Sequence, residues 1–545
     1  MKLNRQSITD GRSQWLEQGF ILPDFDLETV RRNTIEAPNW IHFGAGNIFR
    51  AFPAASLQNL LNQGAAEKGV IAVSGFGAES IDRTYTPYDD LSILVTMKAD
   101  GTLEKTVVAS VMKSLVLDRS REDDFKWLEE AFRKDSLQMV SVTITEKGYK
   151  LQDGSGETLP EVQKDLEEGP AASTSYMGKL TALCYQRFLA GEKPLALVSM
   201  DNFSHNGDKL KAAVLAFAEG WEERGLAEEG FAAYLCDEQK VAFPWSMIDK
   251  ITPGPSEAAE AALKEAGVEG AERLRTSRGS WIAAYTNAEE PQYLIIEDAF
   301  PNGRPVLEER GILFTDRNTV DLVERMKVCT CLNPLHTALA VFGCLLGYTR
   351  IAEEMKDPLL SDMVRKLGYE EGMPVVSDPG ILNPQDFLAE VIEERLTNPF
   401  LPDMPQRIAM DTSQKLPIRF GETLKAYLAD PSKDVSSLTV IPLVFAGWCR
   451  YLLAVDDQGR PFEVSPDPMY EALKEHVAGL ALGQCQTGEA LRPILENSRI
   501  FGVNLYDAGL AEKVLGYFCE MMEGPGAVRK TLEKYILMSE KGGEF

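Results

Sequence analysis

The chain has 545 residues, of which 44% are hydrophobic, and its 56 basic and 83 acidic residues give a formal net charge of −27. This length exceeds the roughly 250–300 residues at which a single hydrophobic core stops growing, so we expect a globular protein of two domains. The acidic balance gives no electrostatic footprint for nucleic acid or for an anionic membrane surface, although a few local cations can still bind a small anion.

The N-terminal segment and the cysteines indicate the cellular compartment of the protein. The opening run MKLNRQSITDGRSQWLEQGF lacks the apolar core of a signal peptide, and no run approaches the roughly 18 apolar residues of a membrane span. The eight cysteines contain no Cys-x-x-Cys pair, which indicates reduced core residues rather than a disulfide framework or a metal site. We therefore expect a cytoplasmic protein without a bound metal.

The predicted elements change in character along the chain. Up to about residue 305, short apolar runs alternate with helical stretches, and the candidate strands are 39–44, 69–75, 137–143, 195–200 and 293–297. After about residue 312, helical patterns prevail, with candidates at 320–327, 337–346, 384–395, 421–428, 469–482 and 510–517. We predict an α/β, Rossmann-like doubly wound domain over residues 1–305, followed by a mostly α-helical domain over residues 306–545.

A glycine turn follows the first candidate strand, in the run IHFGAGNIFR. Glycine backbone there can approach a diphosphate while the amides of the next helix supply donors. The third glycine of the Gly-x-Gly-x-x-Gly fingerprint is replaced by Phe49, so a plain tight turn stays open as an alternative. The candidate cofactor-binding residues are Gly44, Ala45, Gly46, Asn47, Ile48, Phe49 and Arg50.

Polar residues follow three further strands. Glu79, after the second strand, is the nearest candidate for a ribose-binding acid. It comes about thirty residues after the glycines instead of about twenty. Because Arg83 lies four residues further, NADP stays open as an alternative cofactor. Thr145 and Glu146 follow the third strand, and Asn202 follows the fourth. The alternative for these strand ends is ordinary turn hydrogen bonding and helix capping.

An apolar, helix-prone segment carries Glu324, Lys327, Asn333 and His336. Burying the lysine, the asparagine and the histidine without partners would cost about 1–3 kcal/mol each, which favours a functional site. On spacing alone, a helix end with a snorkelling lysine and a capping asparagine is the alternative.

Several motifs resemble, in the same order, those of the mannitol dehydrogenase family of polyol-specific long-chain dehydrogenases. FGAGNIFRAF resembles the family's glycine motif, and VTITEKGY and SMDNFSHNG resemble its two strand-end motifs. FPWSMIDKITP resembles the family signature, and NPFLPDMPQRIAMDTSQKLPIRF is similar to its substrate-domain segment. The resemblance covers nearly the whole chain and implies a metal-independent, NAD(P)-linked interconversion of a ketone and a secondary alcohol.

The resemblance also implies roles for individual residues. Lys327 would act as general acid/base, and Glu324 would relay its proton to solvent. Asn333 and Asn202 would donate amide hydrogen bonds to the reacting oxygen, and His336 would orient that oxygen or a neighbouring hydroxyl. Arg407, Lys415 and Asp249 would bind the substrate.

One spacing departs from the family. His336 follows Lys327 by nine residues where the resemblance implies eight, and Asn333 follows by six instead of five. At about 100° per residue, nine steps of a straight α-helix would turn His336 to the face opposite Lys327. We therefore expect either a new helix that begins at Pro334 with Asn333 as its cap, or a π-bulge.

The resemblance implies that the substrate is a small sugar acid or polyol. In overall likeness, including the motif TITEKGY, the chain most resembles the fructuronate reductases of the family. This implies reduction of D-fructuronate to D-mannonate with NAD, while mannitol 2-dehydrogenase and tagaturonate reductase activities stay open. A different class of protein, a non-catalytic dinucleotide-binding sensor, is the main alternative. A zinc-dependent alcohol dehydrogenase would need a ligand cluster that the sequence lacks. We expect a monomer or a small homo-oligomer.

Overall fold

The computed structural model describes residues 1–483 and 488–537. Contacts divide the described chain into two compact units. The first unit contains Met1–Lys98 and Thr102–Asp321, and the second contains Ala99–Gly101 and the chain from Leu322 onwards.

A six-stranded parallel sheet forms the centre of the first unit. Its strands are β1 (Trp40–Phe43), β2 (Val70–Ser74), β3 (Val111–Val116), β4 (Met139–Val142), β5 (Leu195–Ser199) and β6 (Val241–Ala242). They lie side by side in the order β3-β2-β1-β4-β5-β6, and every neighbouring pair is parallel. This is the strand order of doubly wound dinucleotide-binding folds, so the predicted Rossmann-like class is confirmed.

Successive residues of β1 pack into two separate cores. Ile41 and Phe43 join one core together with Phe132, whereas Trp40 joins the other core together with Phe49. Both faces of the sheet are therefore buried, which explains why its central strands are continuous apolar runs. The helices of this unit are Arg5–Asp10, Arg12–Glu17, Leu27–Glu36, Asn47–Ala51, Pro53–Asn62, Glu79–Thr84, Glu122–Phe132, Pro160–Glu168, Tyr176–Leu189, Asn206–Glu223, Phe231–Cys236 and Glu257–Glu265.

Smaller sheets complete the first unit. A four-stranded sheet contains, in spatial order, Phe20–Ile21, Leu103–Val108, Ser92–Met97 and Tyr285–Glu289. A three-stranded sheet contains Ser246–Asp249, Tyr293–Glu297 and Ile312–Thr315. Leu274–Arg275 and Trp281–Ile282 form a short hairpin. The strand predicted at 293–297 is thus present, but in the three-stranded sheet instead of the central one.

The second unit is helical, which confirms the predicted second half of the fold. The helix Arg317–Met326 crosses the division between the units. The α-helices that follow it are Asn333–Leu346, Ile351–Glu354, Pro358–Arg365, Pro384–Glu390, Pro405–Ile408, Thr412–Arg419, Gly421–Ala429, Val440–Tyr451, Tyr470–Val477, Gly488–Leu495, Ser498–Phe501, Ala511–Met521 and Ala527–Ile536. Wider π turns occur at Lys327–Cys331, Lys366–Gly372 and Val391–Arg395.

Two expectations from the sequence concern membrane spans and cysteines. The helical run Arg317–Leu346 is long and apolar enough to cross a membrane by length and composition, although 78% of its most apolar window is buried inside the fold. Core helices of globular proteins pass the same test. Six cysteines of the described chain are free thiols, in line with the expectation of reduced cysteines.

Candidate active site

The glycine turn after β1 has two glycines with different local requirements. Gly44 has a φ of +137°, and a Cβ there would lie 2.3 Å from the carbonyl oxygen of Thr143. Its amide donates to the Val73 oxygen at 2.8 Å, so the chain turns away between the ends of β2 and β4. A Cβ on Gly46 would meet nothing within 4 Å. Packing requires the first glycine, and the second leaves open space at the start of a helix.

Two residues that follow the glycine turn, Phe49 and Arg50, are buried and pack or hydrogen-bond within the first unit. Phe49 is buried, and its ring stacks on His42 with the ring centroids 4.0 Å apart. Arg50 is also buried, and its guanidinium donates to the Ala283 oxygen at 2.8 Å and to Asn47 Oδ1 at 3.0 Å. The aromatic ring at the third glycine position is therefore a core side chain. Contact of Phe49 and Arg50 with a cofactor stays a prediction.

Ala45 lies in the glycine turn, and Asn47 and Ile48 begin the helix that follows it. The Ala45 oxygen accepts from the Tyr85 hydroxyl at 3.2 Å, and Ile48 is half-buried. Asn47 Nδ2 donates to the Pro253 oxygen at 3.2 Å. This bond joins the glycine turn to the signature segment 243–253.

The region after β2 contains the predicted ribose-binding acid. The Glu79 carboxylate accepts from the Ser277 amide at 3.0 Å and from its hydroxyl at 3.0 Å, and it lies 3.9 Å from the Arg83 guanidinium. Sequence reasoning did not single out Phe76, which is 52% exposed and stacks on Tyr176 with the ring centroids 5.0 Å apart. The sequence feature that could have drawn attention to Phe76 is its position between two glycines at a strand end.

Asp201 ties the ends of β4 and β5 together. Its carboxylate accepts from the amides of Ile144 and Thr145 at 2.9 and 2.8 Å and from the Tyr149 hydroxyl at 2.6 Å. Burial raises the pKa of Asp201, and these hydrogen bonds oppose that shift. Thr145, with a φ of +62°, is held in a conformation that a threonine rarely adopts.

The other polar residues at these strand ends divide into buried and exposed ones. Asn206 is buried and donates to the oxygens of Ser199, Asp201 and Ser246. Turn and cap hydrogen bonding therefore accounts for Asp201 and Asn206. The predicted site residues Asn202 and Glu146 are exposed, and Glu146 pairs with Lys209 at 2.6 Å.

Asp249, the predicted substrate residue of the first unit, ends the strand Ser246–Asp249 and is 6% exposed. Its neighbour Lys250 donates to the Glu289 oxygen at 2.7 Å and to Gln292 Oε1 at 3.1 Å. The lysine thus anchors the signature segment to the connection between the strands Tyr285–Glu289 and Tyr293–Glu297.

In the second unit, a π turn separates the predicted catalytic residues. Lys327 begins the turn Lys327–Cys331 and is 3% exposed, and the Leu332 amide donates to the Lys327 oxygen at 3.0 Å. The next helix begins at Asn333, with Pro334 in its first turn and Leu332 in the cap position. The prediction that Asn333 caps this helix is wrong by one residue, whereas the predicted π-bulge is observed.

The π turn accounts for the unusual spacing. A π turn takes one residue more than an α-helical turn, so the nine residues from Lys327 to His336 produce about the rotation of eight α-helical residues. Eight steps of about 100° end roughly 80° beyond two full turns, whereas nine would end on the opposite face. Glu324, half-buried, lies about one turn before the lysine.

His336 lies beside a buried carboxylate. Its Nε2 is 3.6 Å from Asp403 Oδ2, and Asp403 Oδ1 accepts from Arg407 Nη2 at 2.5 Å. Burial lowers the pKa of His336 to about 4; the Asp403 charge opposes this, and Arg395, Arg419 and Arg407 reinforce it. The imidazole is therefore neutral at pH 7. Asp403, which sequence reasoning missed, brings together two predicted site residues 71 positions apart.

Two further cations lie on the helix Thr412–Arg419. Lys415 Nζ donates to the oxygens of Ile408 and Met410, and burial, followed by the charge of Arg419, lowers the pKa of Lys415 to about 8. Arg419 Nη1 donates to Thr337 Oγ1 at 2.6 Å, and that hydroxyl donates to the Asn333 oxygen at 2.9 Å. Burial lowers the pKa of Arg419 to about 10. Arg419 was not predicted as a site residue.

The structure therefore contains two clusters of predicted site residues, each within one unit. The first is the glycine turn with the ends of β2, β4 and β5. The second consists of Glu324, Lys327, Asn333, His336, Arg407 and Lys415. Within the described residues, no group of three or more His, Cys, Asp or Glu side chains is arranged to hold a metal ion.

Comparison with known proteins accounts for both units. The family model of the mannitol dehydrogenase Rossmann domain matches residues 38–309, and that of the mannitol dehydrogenase C-terminal domain matches residues 319–521. A D-mannonate oxidoreductase from Thermotoga maritima is 54% identical over 98% of this chain and 99% of its own length.

Two solved structures are similar over most of the chain. A Pseudomonas fluorescens mannitol 2-dehydrogenase in ternary complex with NAD and D-mannitol is 27% identical, with a TM-score of 0.67 over 99% of this chain and 100% of that one. A D-sorbitol dehydrogenase is 23% identical, with a TM-score of 0.77 over 94% and 97%, and it supports the fold alone. The expected family and enzyme class are confirmed: the chain belongs to the mannitol dehydrogenase family and is a secondary-alcohol dehydrogenase.

Proposed function

We propose that the protein interconverts D-fructuronate and D-mannonate with NAD as cofactor. The 54% identity to a protein named D-mannonate oxidoreductase, over nearly the full length of both chains, supports this substrate pair. The NAD complex of the Pseudomonas relative supports the cofactor, and the order of the parallel strands is that of dinucleotide-binding domains.

The cationic surroundings of His336 are the observation that carries the proposal. Three arginines, Arg395, Arg407 and Arg419, lie close enough to reinforce the lowered pKa of this imidazole. A local concentration of cations in a protein with a net charge of −27 favours a substrate that carries its own negative charge. A hexonate or hexuronate has such a charge, whereas mannitol does not.

The residues of the second unit fit the proton chemistry of the reaction. When D-mannonate is oxidised, its reacting carbon loses a hydride and its hydroxyl loses a proton. Bound NAD would supply the hydride acceptor. The Lys327 amine takes the hydroxyl proton as the carbonyl forms, Glu324 passes that proton to solvent, and reduction reverses both steps. The Asn333 amide donates to the reacting oxygen, and neutral His336 orients the substrate. Asn202 stays a proposed amide donor.

The remaining assignments follow from this proposal. Residues 1–305 form the cofactor domain, with the Gly44–Gly46 turn at the diphosphate and Glu79, Thr145 and Glu146 along the cofactor. Residues 306–545 form the substrate domain, where Arg407 and Lys415 bind the sugar acid. Asp249 stays a proposed substrate-binding residue. We place the enzyme in the cytoplasm as a monomer or small homo-oligomer.

A substrate panel tests the proposal. The purified chain is assayed with D-fructuronate, D-tagaturonate, D-fructose and D-fructose 6-phosphate, each with NADH and NADPH, by the absorbance of the reduced cofactor. We expect the highest kcat/KM for D-fructuronate with NADH. A higher value for any other ketone would overturn the substrate assignment, and NADH binding without turnover of any ketone would favour a dinucleotide sensor.

A further inference from the structure

Arg419 is a half-buried cation without a carboxylate partner in the described part of the chain. Among the described residues, its one hydrogen bond goes from Nη1 to the Thr337 hydroxyl, and no aspartate or glutamate lies within ion-pairing distance. Burial alone accounts for the lowered pKa of its guanidinium, with no acidic neighbour to oppose it. Removing a charge from water is unfavourable unless an opposite charge compensates, so this position is suited to an anionic ligand.

The charges of the neighbouring basic side chains are compensated by a carboxylate or by backbone oxygens. Among the described residues, Arg419 has only the Thr337 hydroxyl as a partner. Arg407 is paired with Asp403, and Lys415 donates to two backbone oxygens. The buried Arg450 likewise donates to the backbone oxygens of Val455 and Asp456. A guanidinium has five N–H donors in a fixed fork, and Arg419 uses one nitrogen. Its Nε and Nη2 form no hydrogen bond with described residues and are not enclosed by the fold.

The position of Arg419 connects it to the candidate substrate residues. Thr337, which receives its hydrogen bond, directly follows His336 and donates to the Asn333 oxygen. Lys415 lies one turn earlier on the same helix. The side chain is therefore fixed at one nitrogen beside His336 and Asn333, while the rest of its planar fork matches the geometry of a carboxylate.

We propose that Arg419 binds the carboxylate of the substrate and so distinguishes sugar acids from neutral polyols. This inference rests on the proposed function, because it assigns a recognition residue to the second unit's candidate substrate site. Nη1 stays with Thr337, and Nε and Nη2 donate to the two carboxylate oxygens. Arg407 and Lys415 remain available for the substrate hydroxyls.

Paired kinetics of three variants test the inference. Arg419→Gln removes the charge, Arg419→Lys keeps the charge without the fork, and Thr337→Val removes the hydroxyl that holds the guanidinium while leaving the guanidinium itself. Each variant is assayed in the oxidation direction with D-mannonate and with D-mannitol, and binding of D-gluconate and D-sorbitol to the NAD-loaded protein is followed by calorimetry.

We expect Arg419→Gln to raise the KM for D-mannonate by about 10- to 100-fold, because hydrogen bonds to a charged group are lost. The variant should leave kcat and D-sorbitol binding nearly unchanged. Arg419→Lys should give a smaller increase, and Thr337→Val should keep the preference for the acid. Equal losses for acid and polyol would show a merely structural role and overturn the inference.

Ligand binding to the wild-type protein tests this inference separately from the proposed function. It also does not depend on whether a variant folds. We expect D-gluconate to bind it more tightly than D-sorbitol, with a difference that shrinks as salt is added. If D-mannonate is not turned over but D-gluconate still binds through Arg419, the proposed reaction fails and the anion site stands. Equal binding of the two ligands would overturn the anion site.

Discussion

The two candidate site regions differ in the partners of their buried polar side chains. Around the glycine turn, the polar side chains are committed to the fold: Asp201 and Asn206 bind strand ends, and Arg50 binds a backbone oxygen 233 residues away. The open surface there is backbone, at Gly46. Around His336, by contrast, charged side chains surround a neutral imidazole, and one of them lacks a counter-charge among the described residues.

This difference separates two kinds of recognition. A diphosphate can be bound by backbone amides, which need close approach and hence glycine, while the side chains behind the turn keep its shape. A sugar and its reacting hydroxyl need donors and acceptors at particular points, which side chains supply. Substitutions near the first region should therefore alter folding or cofactor affinity, and substitutions near the second should alter turnover or substrate affinity.

Lys327→Ala should have the largest effect. A positioned acid/base group contributes typically about 10²–10⁴-fold to the rate, so we expect kcat to fall by that factor. Affinity for NADH, measured by fluorescence titration, should stay unchanged because the cofactor turn lies in the other unit. Lys425→Ala, at an exposed lysine paired with Glu422, is the matched control and should keep full activity. A variant at Lys327 that retained most of its turnover would exclude the proton-transfer role.

The sequence was most informative where a buried environment restricts residue type. Strands β1, β2, β4 and β5 were predicted because their residues are buried on both faces and therefore uniformly apolar. Strand β3 was missed because it lies at the edge of the sheet and includes the half-buried Lys113 and Ser114. Strand β6 has two residues, too few to form a pattern.

The same contrast applies to the site. Lys327, Asn333 and His336 were found because polar residues are unexpected in an apolar helix, and the π turn was anticipated because their spacing is incompatible with a straight helix. Asp403 and Arg419 were missed because charged residues near helix ends are ordinary on a solvated surface. Only the fold reveals that Asp403 lies beside His336, 67 residues earlier in the chain.

Gly44→Ala and Gly46→Ala test the first region. At Gly44 the new Cβ would overlap the Thr143 oxygen, and φ lies where only glycine is comfortable, so we expect a loss of about 3 kcal/mol or more in the free energy of unfolding. Gly46 has a φ of −93° and open space, so the loss of stability there should stay within about 0.5 kcal/mol.

Cofactor binding then separates the two variants. Gly46→Ala should fold normally and still bind NADH more weakly in a fluorescence titration, because its methyl group would occupy the space proposed for the diphosphate. Wild-type affinity in this variant would show that the cofactor does not approach Gly46. Wild-type stability of Gly44→Ala, measured by urea unfolding, would contradict the packing argument.

The pH dependence of stability should show a smaller effect than Gly44→Ala, and it concerns the second region. His336 has a pKa of about 4 in the folded chain and about 6.5 when unfolded. Between these values the unfolded chain binds a proton that the folded chain does not, so the free energy of unfolding falls as pH decreases from about 6.5 to about 4. Between pH 7 and pH 5 this group should remove about 2 kcal/mol.

Comparison with His336→Gln isolates that contribution, because the buried His42, whose pKa burial lowers to about 3, titrates in both proteins. Urea unfolding followed at pH 7 and pH 5 should show a smaller pH-induced loss in the variant than in the wild type. Equal losses would mean that His336 is not held neutral by its surroundings, and the contrast between a neutral imidazole and the cations around it would fail.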